Sequence, residues 1–268
     1  MHRKTVAAGR FYPGTGTELQ AALTRLGKNT WGGELQEATA VVVPHAGYIY
    51  SGPTAFKVLS RVRIPSTVIL IGPNHHGLGA RVAVGTMDWQ MPWGTIPLYA
   101  KLCHALVRPA KLFQADDLAH AHEHALEVQL PLLNHFRPDV RIVPIATAPL
   151  TYAECERAAL ELAEVLHEEQ ESALLLASTD MSHYKSRCQA SRLDRQAIEQ
   201  MVRFNPRGLY QVVREKNISM CGMAATVITL LTSRHLGAKS VELVEYTDSG
   251  EATGDLSQVV GYAGLVVS

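Results

Sequence analysis

Three apolar runs of this chain each lead into a segment that carries histidine. Ala40-Val41-Val42-Val43 passes directly into Pro44-His45-Ala46-Gly47-Tyr48, and Val68-Ile69-Leu70-Ile71 into Gly72-Pro73-Asn74-His75-His76-Gly77. Ala173-Leu174-Leu175-Leu176-Ala177 passes into Ser178-Thr179-Asp180-Met181-Ser182-His183-Tyr184. Imidazole is the commonest protein metal ligand and the usual general base near neutral pH, so these segments offer both kinds of chemistry. In extended backbone the adjacent His75 and His76 point opposite ways, so one faces a site and the other packs or hydrogen-bonds behind it. Histidine is also abundant, with twelve in 268 residues, about twice ordinary usage.

Two further clusters hold ligand-type side chains. In His120-Ala121-His122-Glu123-His124-Ala125-Leu126-Glu127, helical spacing puts Glu123 and Glu127 on one face and His120 and His124 on one face. This segment reads either as a polar wall of the pocket or as a capped helix start with acidic residues in its first turn, and the helix start is favoured. Cys221 stands just before the helix-like stretch Met223 to Leu231, a setting that favours thiolate, although an isolated cysteine is more often a small buried hydrophobe. Cys103, Cys155 and Cys188 have no such setting and read as structural. Tyr48 and Tyr184 are candidates to flank a substrate, and Arg10, beside Phe11-Tyr12-Pro13, to hold an anionic group.

The elements that position these residues follow from the apolar pattern. The three runs above and Ile142-Val143-Pro144-Ile145 are continuously apolar over four or five residues, which suits strands covered on both faces. Helix-like stretches lie at 53–61, 122–136, 152–170 and 189–203. Strands alternating with helices predict an α/β fold in a single domain spanning 1–268, with a largely parallel or mixed central sheet and helices on both faces. In open sheets of this kind, ligands bind beyond the carboxyl ends of the strands, so parallel neighbours would bring the histidine loops to one edge. Val241–Tyr246 and Val259–Val267 read as late strands joined by a polar loop, and Val82 to Leu98 as an irregular hairpin or excursion.

Composition narrows the classes. Lys+Arg and Asp+Glu balance at 25 each, which argues against nucleic-acid binding through a general positive field. No apolar run approaches the roughly 18 residues of a membrane span, and Met1 to Val6 has no apolar region of a secretory signal behind it. Four widely spaced cysteines without a C-x-x-C pair fit reduced thiols in a cytoplasmic protein.

Taken in order, Pro44-His45-Ala46-Gly47-Tyr48, Gly72-Pro73-Asn74-His75-His76, Glu123-His124-Ala125-Leu126-Glu127-Val128-Gln129-Leu130-Pro131, Ser178-Thr179-Asp180-Met181-Ser182-His183 and Met220-Cys221-Gly222 resemble the Memo family. The resemblance runs from Ala8-Gly9-Arg10-Phe11-Tyr12-Pro13 to Gly261-Tyr262-Ala263, essentially the whole chain. It implies a fold similar to class III extradiol dioxygenases, non-haem iron enzymes that open catechol rings. It also implies His45, His75 and Cys221 as metal ligands, with Asp180 and His183 lining the same pocket. Similar bacterial and archaeal proteins are named as one component of a three-part system with a radical-SAM protein, and eukaryotic members are associated with motility signalling and phosphopeptide binding. The dioxygenases use two histidines and a carboxylate; here Cys221 takes the carboxylate's place.

The expected function is therefore a metal-dependent redox or dioxygenase-like reaction on a small molecule. One metal ion is expected, iron or copper before zinc, with His183 as general base and Asp180 orienting it or a ligand. His76, Tyr48, Glu123, His124 and Tyr184 are expected to touch substrate or support the ligands. The alternatives are a zinc-dependent hydrolase and a non-catalytic module that holds a peptide or partner in the former active-site groove.

Overall fold

The computed structural model describes residues 2–28, 33–108, 111–170 and 172–268. Among the described residues the strands are β1 (His2–Arg3), β2 (Ala40–Val43), β3 (Thr67–Pro73), β4 (Val82–Val84), β5 (Asp88–Met91), β6 (Gly94–Ile96), β7 (Gln114–Ala115), β8 (Arg141–Thr147), β9 (Leu174–Ser178), β10 (His183–Lys185), β11 (Val241–Asp248) and β12 (Val259–Val267). The helices are α1 (Gly16–Gly27), α2 (Gly52–Leu59), α3 (Ala100–Leu106), α4 (Leu130–Phe136), α5 (Tyr152–Glu169), α6 (Arg187–Val202), α7 (Pro206–Glu215), α8 (Met223–His235) and the single turn α9 (Gly250–Thr253).

The main sheet runs β10-β12-β2-β9-β3-β8-β4-β7, with β11 also on β12. Its centre is parallel: β2 pairs β9, β9 pairs β3, and β3 pairs β8. β12 joins β2 antiparallel, and β4 joins β8 antiparallel, so the sheet as a whole is mixed. The apolar runs are continuous because both faces are covered. Along β3, Ile69 and Ile71 enter one core with α5 and α8, while Val68 and Leu70 enter the opposite core with α1, α2 and α4. α8 is buried almost all round, from Ala224 to Ser233, as an apolar helix between layers must be.

The helix-like stretch expected at 122–136 is shorter: residues up to Leu126 form turns, a 3-10 turn spans Glu127–Gln129, and α4 follows. Arg3 explains the difference. Its Nε donates to His120 O at 2.8 Å and its Nη2 donates to Glu123 O, and these long-range bonds take carbonyls that a helical ladder would use. The stretch from Val82 to Leu98 is only partly an excursion. β4 belongs to the main sheet, whereas β5 and β6 form a hairpin beside β1. Trp89 of that hairpin packs inward at 1% exposure.

Candidate metal centre

The adjacent parallel strands β2, β9 and β3 deliver their loops to one edge, and the histidines meet there. The His45 and His75 ring centroids are 5.3 Å apart, edge to face. Cys221 reaches the same point from the segment before α8, with Sγ 3.3 Å from His45 Nε2. One donor atom from each of His45, His75 and Cys221 lies within 4.8 Å of the others. Close packing fixes the cysteine's approach. The Gly222 amide donates to Thr179 Oγ1 at 2.9 Å, and a Cβ at Gly222 would stand 2.5 Å from Ser178 O.

Hydrogen bonds behind the rings decide where their protons sit. Ser178 Oγ has one proton, which it donates to Ala125 O at 2.7 Å, and it accepts from Gln129 Nε2 at 2.9 Å. Toward His45 Nδ1, 3.0 Å away, Ser178 Oγ must therefore accept, so His45 carries its proton on Nδ1 and presents a bare Nε2 to Cys221. Burial, then the neighbouring His75, push the His45 imidazole down to about 3, so it is neutral at pH 7.

His75 is fixed by Glu123 in the same manner. Burial alone would raise this carboxyl, but the His75 ring and the amides of Ala125 and His75 outweigh it and hold Glu123 down to about 2. As a carboxylate it accepts from the His75 amide at 2.6 Å and from His75 Nδ1–H at 2.9 Å. His75 Nε2 is thereby left bare. A carboxylate behind a ligating imidazole sets its tautomer and increases its basicity.

Among the described residues, His75, Glu123 and His124 form a second group with metal-ligand spacing. There the Glu123 carboxylate is already committed to N–H donors. His45, His75 and Cys221, with both ring protons turned away, are the better fit to a cation. Two neutral imidazoles and a thiol suit zinc, copper(I) or iron rather than magnesium or calcium. Burial, then the Asp180 carboxylate, push the Cys221 thiol up to about 12. A bound cation reverses that balance, because a coordinating thiol gives up its proton.

The other expected residues divide into those around the cleft and those turned from it. Asp180 Oδ1 accepts from the His45 amide at 2.8 Å, and the Asp180 amide donates to Cys221 Sγ at 3.2 Å. Asp180 thus ties two of the three candidate ligands together through its own residue and does not join their spacing group. His183 Nδ1 faces two carbonyls, Met181 O at 2.8 Å and Ser219 O at 2.9 Å, so it holds the proton and leaves Nε2 as an acceptor. His124 stacks on His75 at 4.8 Å and stands 5.5 Å from His45. It forms a wall of the cleft.

The Tyr48 hydroxyl donates to Val128 O at 2.9 Å and its ring stands 5.9 Å from that of Tyr12, so only the ring is open to a ligand. His76 is the outward member of its pair, exposed beside His122 at 6.1 Å between ring centroids. Tyr184 is 74% exposed, with φ +55°, and stands on the rim next to His183. Sequence reading missed Ser178 and Gln129 as setters of the His45 tautomer, and Arg3 as an anchor of the Glu123 turn. Ser178 did carry a signal, being a polar residue that ends an apolar strand. Arg3 carried none within its basic neighbourhood.

Comparison with known proteins identifies the family of the chain. The family model described as Memo-like protein matches residues 3–266. A MEMO1 family protein of Methanopyrus kandleri is 37% identical, with 99% of each chain covered. Those of Aquifex aeolicus and Thermotoga petrophila are 39% and 36% identical, over 98% and 100% of each chain. With the match running nearly end to end and including every loop of the site, the chain belongs to the Memo family.

Proposed function

We propose that this protein is a metal-dependent enzyme of redox or oxygenase-like type acting on a small molecule, with His45, His75 and Cys221 as the metal ligands. The observation that carries the reading is the grouping of one ligand atom each from His45, His75 and Cys221 within 4.8 Å, with the Nδ1 proton of each ring held by a hydrogen bond behind it. A structural site is usually closed by four protein ligands, whereas three leave a position for substrate. The bound metal would supply a Lewis-acid or one-electron centre beside that position.

The chain's own residues supply the rest. His183, its proton held on Nδ1 by two carbonyls, offers Nε2 as a general base to a substrate hydroxyl. Asp180 fixes the His45 backbone and the Cys221 sulfur relative to each other. His124 and Phe11, with ring centroids 4.4 Å apart and planes tilted by 32°, wall one side. The thiolate favours copper or iron over a purely oxygen-liganded ion, with zinc pointing instead to hydrolysis.

The test is metal analysis of protein purified without added metal and without oxygen, beside Cys221→Ser. Near-stoichiometric iron or copper, lost in the variant, is the expected result. Zinc would replace the redox reading with a hydrolytic one. A protein that neither carries nor takes up metal would overturn the ligand assignment and leave a binding groove as the better account.

A further inference from the structure

A cavity of about 610 Å³ opens beside the metal cleft, between the turn at Gly9–Pro13, α1 and the loop after His45. Its walls are aromatic and aliphatic. Tyr12 and Tyr48 show it their rings, because their hydroxyls are engaged by Glu127 Oε1 at 2.7 Å and Val128 O at 2.9 Å. Ile49 is 72% exposed although it stands only four residues from His45, and Phe11 completes the apolar lining. The charged lining consists of Arg10 and Arg25, and among the described residues no carboxylate lines the cavity. Neither guanidinium has a protein partner among the described residues. The nearest carboxylate on α1 is engaged elsewhere: Glu18, which borders the adjoining hollow with Arg25, accepts from Thr15 Oγ1 at 2.8 Å.

Arg25, in the last turn of α1, is favoured there by the helix dipole alone. Arg10 has no such reason for its place. It sits at the tip of a turn closed by Gly9 N–H donating to Tyr12 O at 2.8 Å, Arg10 N–H to Ala7 O at 3.1 Å and Tyr48 N–H to Phe11 O at 2.7 Å. The turn is thus fixed on the loop of His45 and holds Arg10 at the mouth of an apolar cavity. An apolar cavity with a small number of placed polar groups is the usual form of a small-molecule site, and a guanidinium fork matches a carboxylate or phosphate.

We infer that this cavity binds a small apolar molecule with an acidic head, the head on Arg10 and Arg25 and the body on Phe11 and Ile49. Phe11 also packs at 4.4 Å against His124, so the far end of such a molecule lies toward the metal cleft. That its ligand is the substrate of the metal centre rests on the proposed function; the cavity's preference for apolar acids does not.

The probes are 2-naphthoate, 2-naphthyl phosphate and neutral 2-naphthamide, titrated by calorimetry and by displacement of anilinonaphthalene sulfonate. Wild-type protein should show one saturable site for the anions, at least tenfold tighter than for the amide. Arg10→Gln/Arg25→Gln should weaken the anions at least tenfold and leave the amide unchanged. A preference for naphthoate over naphthyl phosphate, or the reverse, identifies the acidic head. Equal affinity for acid and amide, or anion binding unaltered in the double variant, would overturn the inference. Repeating the titration with Cys221→Ser separates the two readings, since cavity binding should survive there even if no metal is held.

Discussion

Arg3 and Glu127 form an ion pair at 2.7 Å with side-chain exposures of only 4% and 0%, and around it the amino-terminal segment is fastened to the candidate metal cleft. Glu127 also accepts from the amides of Val6 and Ala7 and from Tyr12. The Arg3 guanidinium lies 3.8 Å over the Trp89 ring and holds the carbonyls at both ends of the turn that bears Glu123. Removing one partner of a buried pair leaves the other charge without compensation. Arg3→Met should therefore cost about 3–5 kcal/mol in urea unfolding. Arg3→Met/Glu127→Gln should cost less than the sum of the two single changes, because no buried charge is left alone. Strict additivity would show that the two residues act independently.

Ser178→Ala tests the hydrogen bond that sets the His45 tautomer. It takes the acceptor from one Gln129 Nε2–H, whose other goes to Pro44 O, takes the donor from the Ala125 carbonyl, and removes the acceptor that keeps the His45 proton on Nδ1. The expected loss is about 1–3 kcal/mol of stability and roughly 10–100-fold in metal affinity. Cobalt(II) titration, read in its visible bands, measures the second effect. Unchanged affinity would mean that the His45 tautomer does not depend on Ser178.

The convergence of His45 and His75 was legible in the sequence because it depends on strand polarity. Runs apolar on both faces imply buried parallel strands, and parallel neighbours must deliver their loops to one edge. The turn at 120–126 was not legible, since its shape comes from Arg3, more than a hundred residues away, and no local periodicity encodes such a bond. Tyr48 shows a different limit. The pattern placed it beside His45, but only the tertiary partner, Val128 O, reveals where its hydroxyl goes. Residues set by sheet topology could be read; those set by a single long-range hydrogen bond could not.

His120 gives a pH dependence with a definite sign. It is buried, its Nε2 donates to Ala83 O at 3.2 Å, and burial, then the Arg3 charge, push it down to about 4 despite Asp117 and Asp116 nearby. The folded chain therefore resists a proton that the unfolded chain accepts near pH 6.5. Its contribution to stability is complete above pH 6.5 and is lost as pH falls from 6.5 to about 4. The size is on the order of 3 kcal/mol for a shift this large. Urea midpoints of metal-free protein between pH 7.5 and 4 should fall more steeply in wild type than in His120→Leu. Parallel curves would place the acid sensitivity elsewhere, for instance in His45 and His124, both also pushed down.

Glu123→Gln and Tyr48→Phe separate support of the metal centre from support of the core. The Glu123 carboxylate accepts from the His75 amide, from His75 Nδ1–H and from the Ala125 amide. An amide group replaces one of its two acceptor oxygens with a donor, so one of these N–H groups must face another donor. If His75 Nδ1 loses its acceptor, the ring is free to carry its proton on Nε2, the atom needed for the metal. Metal affinity should fall roughly 10–100-fold. Tyr48→Phe removes only the bond to Val128 O, which should cost about 1 kcal/mol of stability and leave metal affinity unchanged. If Tyr48→Phe instead weakened the metal and Glu123→Gln did not, the division between cleft and core drawn from these hydrogen bonds would be reversed.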